Sequence, residues 1–135
     1  MSESNVTIFV VDDDESVLKA LNRLLRSAGF NVETFSSSQE FLKYGCKREG
    51  LLVLDVRMPE MSGIELQKRL VESGSKMPII FITAHANGET SRLATKSGAV
   101  AFLQKPFEDQ ALLDAICTGL ERKPAEGPHQ KGACD

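Results

Sequence analysis

The run Leu51-Leu52-Val53-Leu54-Asp55-Val56-Arg57-Met58-Pro59-Glu60-Met61-Ser62-Gly63 decides how the chain folds. Four apolar residues lead into one aspartate, and turn residues follow at once. A run that is apolar at every position suits a strand covered on both faces, as in the middle of a parallel sheet. Asp55 stands where that strand ends and the chain surfaces. Pro59 and Gly63 punctuate a tight connection, and Ser62 with Glu65 reads as a capping box opening a helix. A buried strand and a shaped loop thus present one carboxylate at a strand's carboxyl end, where ligands collect in open α/β sheets.

Working outward, residues 6–11 form a β-rich run that ends on Asp12-Asp13-Asp14-Glu15. Val17, Leu18, Leu21, Leu24, Leu25 and Ala28 predict a helix over 16–28, with Gly29 placed to end it. Residues 31–35 read as a second strand. Ser37 and Glu40 read as a capping box for a helix to about Tyr44, which Gly45 stops. The Asp55 strand is third, and the helix after it spans 63–73, ended by Gly74. Residues 78–83 are a fourth strand, again apolar on both faces. Segment 89–97 is helical but poorly amphipathic, with Leu93 its only large apolar residue, and Gly98 closes it. Residues 100–104 are the fifth strand and run into Lys105-Pro106-Phe107. Glu108 and Asp109 suit the first turn of a last helix that buries Leu112, Leu113, Ile116, Cys117 and Leu120. Five β/α units predict an α/β fold, a doubly wound five-stranded parallel sheet of order 2-1-3-4-5 with helices on both faces. Residues 1–122 make one domain. Residues 123–135 are Pro, Gly and polar, and read as a disordered tail or the start of a linker.

Composition narrows the function. The 135 residues are 41% hydrophobic, ordinary for one globular domain, with a net charge of −3 and no basic stripe. That argues against direct nucleic-acid binding. Cys46, Cys117 and Cys134 are odd in number and lack metal or disulfide spacing, which suggests a reducing cytosol. No basic leader and no long apolar run point to a membrane or to export.

The strand ends carry the chemistry. Strand one ends on Asp12 and Asp13, strand three on Asp55, strand four on Thr83 and strand five on Lys105. Strand two ends at Phe35-Ser36, contributes nothing charged, and lies at an edge away from the crevice. Three carboxylates within a few ångströms repel one another by a few kcal/mol per pair, at an effective dielectric of about 20. A hard divalent cation such as Mg²⁺, which takes carboxylate and phosphate oxygens, removes that repulsion. Lys105 can neutralise a second anionic group and Thr83 can donate to it, so the site suits a phosphoryl group beside a metal. No Gly-rich loop cradles a nucleotide, so the phosphoryl arrives on something else, and Asp55 is the oxygen nucleophile at hand. Taken singly, each residue has a plainer reading. Asp14 is best read as a helix cap and His85 as a surface residue.

At Val10-Val11-Asp12-Asp13-Asp14, Val53-Leu54-Asp55-Val56-Arg57-Met58-Pro59, Phe81-Ile82-Thr83-Ala84 and Lys105-Pro106-Phe107 the sequence resembles the receiver domain of bacterial two-component response regulators, over residues 6–122. The resemblance implies a flavodoxin-like (βα)5 fold in a cytoplasmic signalling protein that is no metabolic enzyme and catalyses only its own transient phosphorylation. It implies Asp55 as phospho-acceptor, and Mg²⁺ held by Asp12, Asp13, Asp55 and the backbone carbonyl of Arg57. Thr83 would bond the phosphoryl oxygens, Lys105 would pair with them, and Lys105-Pro106 would be cis. Thr83 and Phe102 would form the switch, with Phe102 where many members carry tyrosine, so that coupling runs through packing. Arg57 and His85 would tune the phosphate's lifetime. The partners implied are a sensor histidine kinase or phosphotransfer protein, and an output domain or effector on the face built from segment 89–97, strand five and the last helix.

Two other readings fit parts of the chain. Asp12-x-Asp14-x-Ser16 imitates the first motif of haloacid-dehalogenase-type phosphatases, with Asp12 as nucleophile and Thr83 and Lys105 as later motifs. That reading leaves the Asp55 strand unused, and past Lys105 it finds acids only on the last helix and in the tail. A flavodoxin-like electron carrier would share the sheet, but three aspartates would repel its phosphate.

Overall fold

The computed structural model describes residues 6–44, 49–58, 60–84, 92, 96 and 98–125. Five short strands, β1 (Thr7–Val11), β2 (Asn31–Phe35), β3 (Leu51–Asp55), β4 (Ile79–Thr83) and β5 (Ala101–Gln104), lie parallel in the order β2-β1-β3-β4-β5. Helices α1 (Glu15–Ser27), α2 (Ser38–Tyr44), α3 (Gly63–Glu72) and a C-terminal helix (Asp109–Ala125) cover the sheet. The fold class and strand order are those expected from the sequence. Side-chain alternation sorts the core into two layers. Ile8, Val10, Val53, Ile80 and Ile82 pack under Leu21, Leu25, Leu112 and Ile116. Phe9, Val11, Leu54 and Phe81 pack under Phe41, Leu66 and Leu70. β3 and β4 are buried at every residue, whereas the edge strand β5 is half-buried.

Register aligns the strand ends. Val11, Leu54, Phe81 and Phe102 form one row across β1, β3, β4 and β5. Asp12 therefore follows β1 level with Asp55, which pairs with Ile82 in the next row. Crossovers at this end lead directly into helices. Asp14 caps α1 by accepting from the Ser16 N–H, so the helix starts one residue earlier than the apolar spacing suggests. Ser62 and Glu65 form the expected capping box on α3. Ser37 Oγ accepts from the Glu40 N–H at 3.1 Å, but the Glu40 carboxylate reaches back to the N–H of Ser36 at 3.0 Å, one residue beyond the box read from the sequence.

The C-terminal helix runs to Ala125, with Pro124 in its last turn. The Lys105-Pro106 peptide is cis, as the resemblance implies. Gly45, His85, and Leu93 with most of segment 89–97 lie outside the described residues, as does the tail from 126.

Candidate functional site: an acidic crevice at the ends of β1 and β3

Asp12, Asp13 and Asp55 come together beyond the carboxyl ends of β1 and β3, each offering a carboxylate oxygen within 4.8 Å of the others. Asp12 and Asp55 are buried and Asp13 is exposed. Lys105, one residue past β5, reaches over from the far side. Its Nζ lies 2.8 Å from Asp12 Oδ2 and 3.9 Å from Asp55 Oδ1. Thr83 at the end of β4 is buried, and its carbonyl accepts from the Lys105 N–H at 2.7 Å. The carboxylates and the ammonium read from the ends of β1, β3 and β5 thus come together, and Thr83 ends β4 with its carbonyl bonded to the Lys105 N–H.

The two buried carboxylates are treated differently. Asp12 has its cation, and its Oδ1 accepts from the Asp14 N–H at 2.9 Å. Asp55 has no cation within ion-pair contact distance of that quality. Burial first, then the Asp12 charge, pushes its pKa up to about 7. Lys105 and the Arg57 backbone N–H pull the other way without restoring the ordinary value. Asp14, fully exposed, has its carboxyl held below the usual range, chiefly by the Ser16 hydroxyl, and serves as the α1 cap.

The loop joining β3 to α3 shapes the crevice wall. Val56 N–H donates to the Ile82 carbonyl and Gly63 N–H to the Val56 carbonyl, both at 2.9 Å, so the loop closes on itself. A Cβ on Gly63 would collide with the Asp55 carbonyl oxygen, so α3 starts hard against the strand that carries the acid. Glu60 adopts φ 70°, a left-handed backbone that a side chain makes unfavourable by roughly 1–2 kcal/mol. A cleft of about 470 Å³ opens along Val56, Arg57, Met58 and Ser62. Phe102 is half-buried on the α2–α3 side of the sheet.

β2, which the sequence reading leaves out of the crevice, takes part through its backbone and the turn after it. The Phe35 carbonyl accepts from the Asp12 N–H at 3.1 Å, and buried Ser38 donates to the Met61 carbonyl at 3.2 Å. The available signal was the Ser36-Ser37-Ser38 run: only one serine can cap the helix, so another needs a partner elsewhere.

Three hard oxygen donors fit a hard divalent cation by chemistry and by their need for positive charge. A phosphatase centred on Asp12 would leave the buried Asp55 at the end of β3 without a role. Among the described residues no helix is long and apolar enough to cross a membrane.

Known proteins agree with this geometry. The response regulator receiver domain family matches residues 8–117. The response regulator protein TmoT of Ectopseudomonas mendocina is 46% identical over 93% of this chain and 58% of its own length. The transcriptional regulatory protein FixJ of Rhizobium meliloti is 41% identical over 84% of this chain and 56% of its own. The chain thus spans a little over half the length of these curated relatives. Among solved structures, the response regulator StyR superposes with a TM-score of 0.80 at 54% identity, over 88% of this chain and 63% of StyR. FixJ-N gives the same TM-score at 41% identity, over 86% of this chain and 94% of its own. By family match, sequence identity and superposition, the chain belongs to the receiver domain family of two-component response regulators.

Proposed function

We propose that Asp55 accepts a phosphoryl group from the phosphohistidine of a sensor histidine kinase or phosphotransfer protein. The observation that carries this reading is the contrast inside the crevice: Asp12 holds Lys105 at 2.8 Å, while Asp55 is buried, 3.9 Å from that cation, with a pKa near 7. Asp55 is the carboxylate in need of a partner. An Asp55 carboxylate oxygen forms the new bond to phosphorus as the P–N bond to the donor imidazole breaks, and the departing ring nitrogen takes a proton from water. Lys105 pairs with the transferred oxygens, and Thr83 donates a hydrogen bond to them. Asp12, Asp13, Asp55 and the Arg57 backbone carbonyl would hold Mg²⁺, which supplies charge neutralisation for the transfer. The chain catalyses only this self-modification and its reversal. Exposed Arg57 borders the cleft beside the acceptor and is the residue placed to modulate hydrolysis, together with His85, which lies outside the described residues.

The phosphoryl adds about −1.5 to −2 charge. Drawing Thr83 toward it would free room for Phe102 to repack, and the face of segment 89–97, β5 and the C-terminal helix would pass the change to an output domain or effector in the cytoplasm. The half-buried β5 supports that assignment, because little core area pins it. Direct contact with nucleic acid or membrane has no part in this reading of the receiver. Residues 1–122 with the helical extension to Ala125 would be the receiver, and the remainder a tail or linker.

Intact-mass measurement after incubation with acetyl phosphate and Mg²⁺ tests the chemistry. One phosphoryl adduct is expected on the wild type and none on Asp55→Asn or with EDTA. An adduct that survives in Asp55→Asn would place the acceptor elsewhere.

A further inference from the structure

The end of β2 and the start of α2 bond to both sides of the crevice. On one side, Phe35 accepts from the N–H of Asp12. On the other, Ser38 donates to the carbonyl of Met61, a residue 23 positions away in the β3–α3 loop, just before the Ser62 cap of α3. Ser38 is 1% exposed, so its hydroxyl bonds in place of water rather than alongside it.

The base of this bond is rigid. Ser37 caps α2, and Glu40 ties back to Ser36. Phe41 packs edge-on to Phe9 and Phe35, at 5.6 and 5.5 Å between ring centres. The loop it meets needs holding. Its ends are closed by Val56 and Gly63, but its middle contains Glu60 in a left-handed conformation that relaxation would remove. Arg57 lies in the same loop, and its N–H bonds the Asp55 carboxylate.

We infer that Ser38 is a positioning residue for phosphoryl transfer: from α2 it pins the Met61 carbonyl and thereby sets the loop backbone that orients Asp55 and the Arg57 carbonyl. This deepens the proposed function and rests on it. Ser38 touches neither the phosphoryl group nor the cation. Its effect passes through the loop backbone alone.

The test compares the wild-type chain of 135 residues, Ser38→Ala and Ser37→Ala. The last loses the α2 cap while keeping the Met61 bond, so it controls for loosening of α2. Two readouts are taken without phosphorylation: amide hydrogen exchange across 56–63, and Mg²⁺ affinity from the shift of the Arg57 and Met61 amide resonances. Ser38→Ala should exchange faster in the loop and bind Mg²⁺ about five-fold more weakly, the size of one net hydrogen bond. Phosphorylation by acetyl phosphate should slow by a similar factor, with Ser37→Ala near wild type in all three. Unchanged exchange and affinity in Ser38→Ala would overturn the inference, as would equal losses in Ser37→Ala. Should Ser38→Ala not fold, Ser38→Cys keeps the volume with a poor donor, and wild-type behaviour there overturns it equally. A wild type that takes neither Mg²⁺ nor phosphoryl would instead overturn the reading of the site, and this inference with it.

Discussion

At the end of β1, the Asp12 carboxylate accepts a backbone N–H on one oxygen and meets Lys105 on the other, and the next turn resolves into the Asp14 cap of α1. At the end of β3, the Asp55 carboxylate sits 3.9 Å from the same cation, and the loop after it holds Glu60 in a left-handed conformation. Both carboxylates are buried to a similar degree. The difference lies in how closely the compensating charge approaches: Lys105 meets Asp12 at 2.8 Å and Asp55 only at 3.9 Å. A closely paired and a loosely paired carboxylate thus lie on neighbouring strands, and the loosely paired one adjoins the strained loop.

Removing Lys105 should have the largest effect, because it strips Asp12 of its partner inside the crevice. Lys105→Met is expected to destabilise the fold by about 3 kcal/mol at pH 7, the range for one half of a buried pair. Urea unfolding measures it, and Asp12→Asn in the same chain should recover most of the loss. A cost well under 1 kcal/mol would show that water already screens Asp12 and that the two carboxylates do not differ as described.

Gly63→Ala acts on the β3 side alone. Alanine favours helix over glycine by about 1 kcal/mol, so propensity predicts a gain at the first residue of α3. The collision with the Asp55 carbonyl predicts a net loss of about 2 kcal/mol and a displaced acceptor. Thermal unfolding decides the sign.

The pH dependence isolates Asp55. Its pKa rises from 3.8 unfolded to about 7 folded, so between those values the folded state holds a proton that the unfolded chain has released. Its contribution to stability therefore declines as pH rises from about 4 to 7 and is flat above. Asp55→Asn should be more stable than wild type at pH 8, by on the order of 1–2 kcal/mol once solvent at the crevice mouth is allowed for, with the gap closing toward pH 4. Mg²⁺ should narrow the gap at pH 8 by taking the proton's place. A gap independent of pH would mean that Asp55 ionises normally.

Much of this was legible in the sequence. Asp12, Asp55, Thr83 and Lys105 each close or follow an apolar run, and parallel βαβ topology forces such ends to one side of the sheet. The Asp14 cap was legible too, because caps are local. The partition of Lys105 between two aspartates was not, since an ångström of difference depends on sheet twist and side-chain reach. Ser38 escaped for a related reason: a bond across 23 residues leaves no periodicity, and strand two ends without a charge to draw notice. Glu60 escaped because glutamate gives no hint of a left-handed backbone.

That last residue offers the smallest and sharpest test of the strained side. In Glu60→Gly the backbone at φ 70° becomes unstrained, relieving roughly 1–2 kcal/mol in the folded state. Glycine also gives the unfolded chain more freedom, which takes back about 0.5–1 kcal/mol. The net expectation is a gain of about 0.5 kcal/mol in urea unfolding. Glu60→Ala keeps the strain and removes only an exposed carboxylate, so it should match wild type. A gain in both would assign the effect to charge. A gain in glycine alone would locate the strain in the loop backbone, and set against the β1 turn it would show that stored strain lies beside the carboxylate that Lys105 holds less closely.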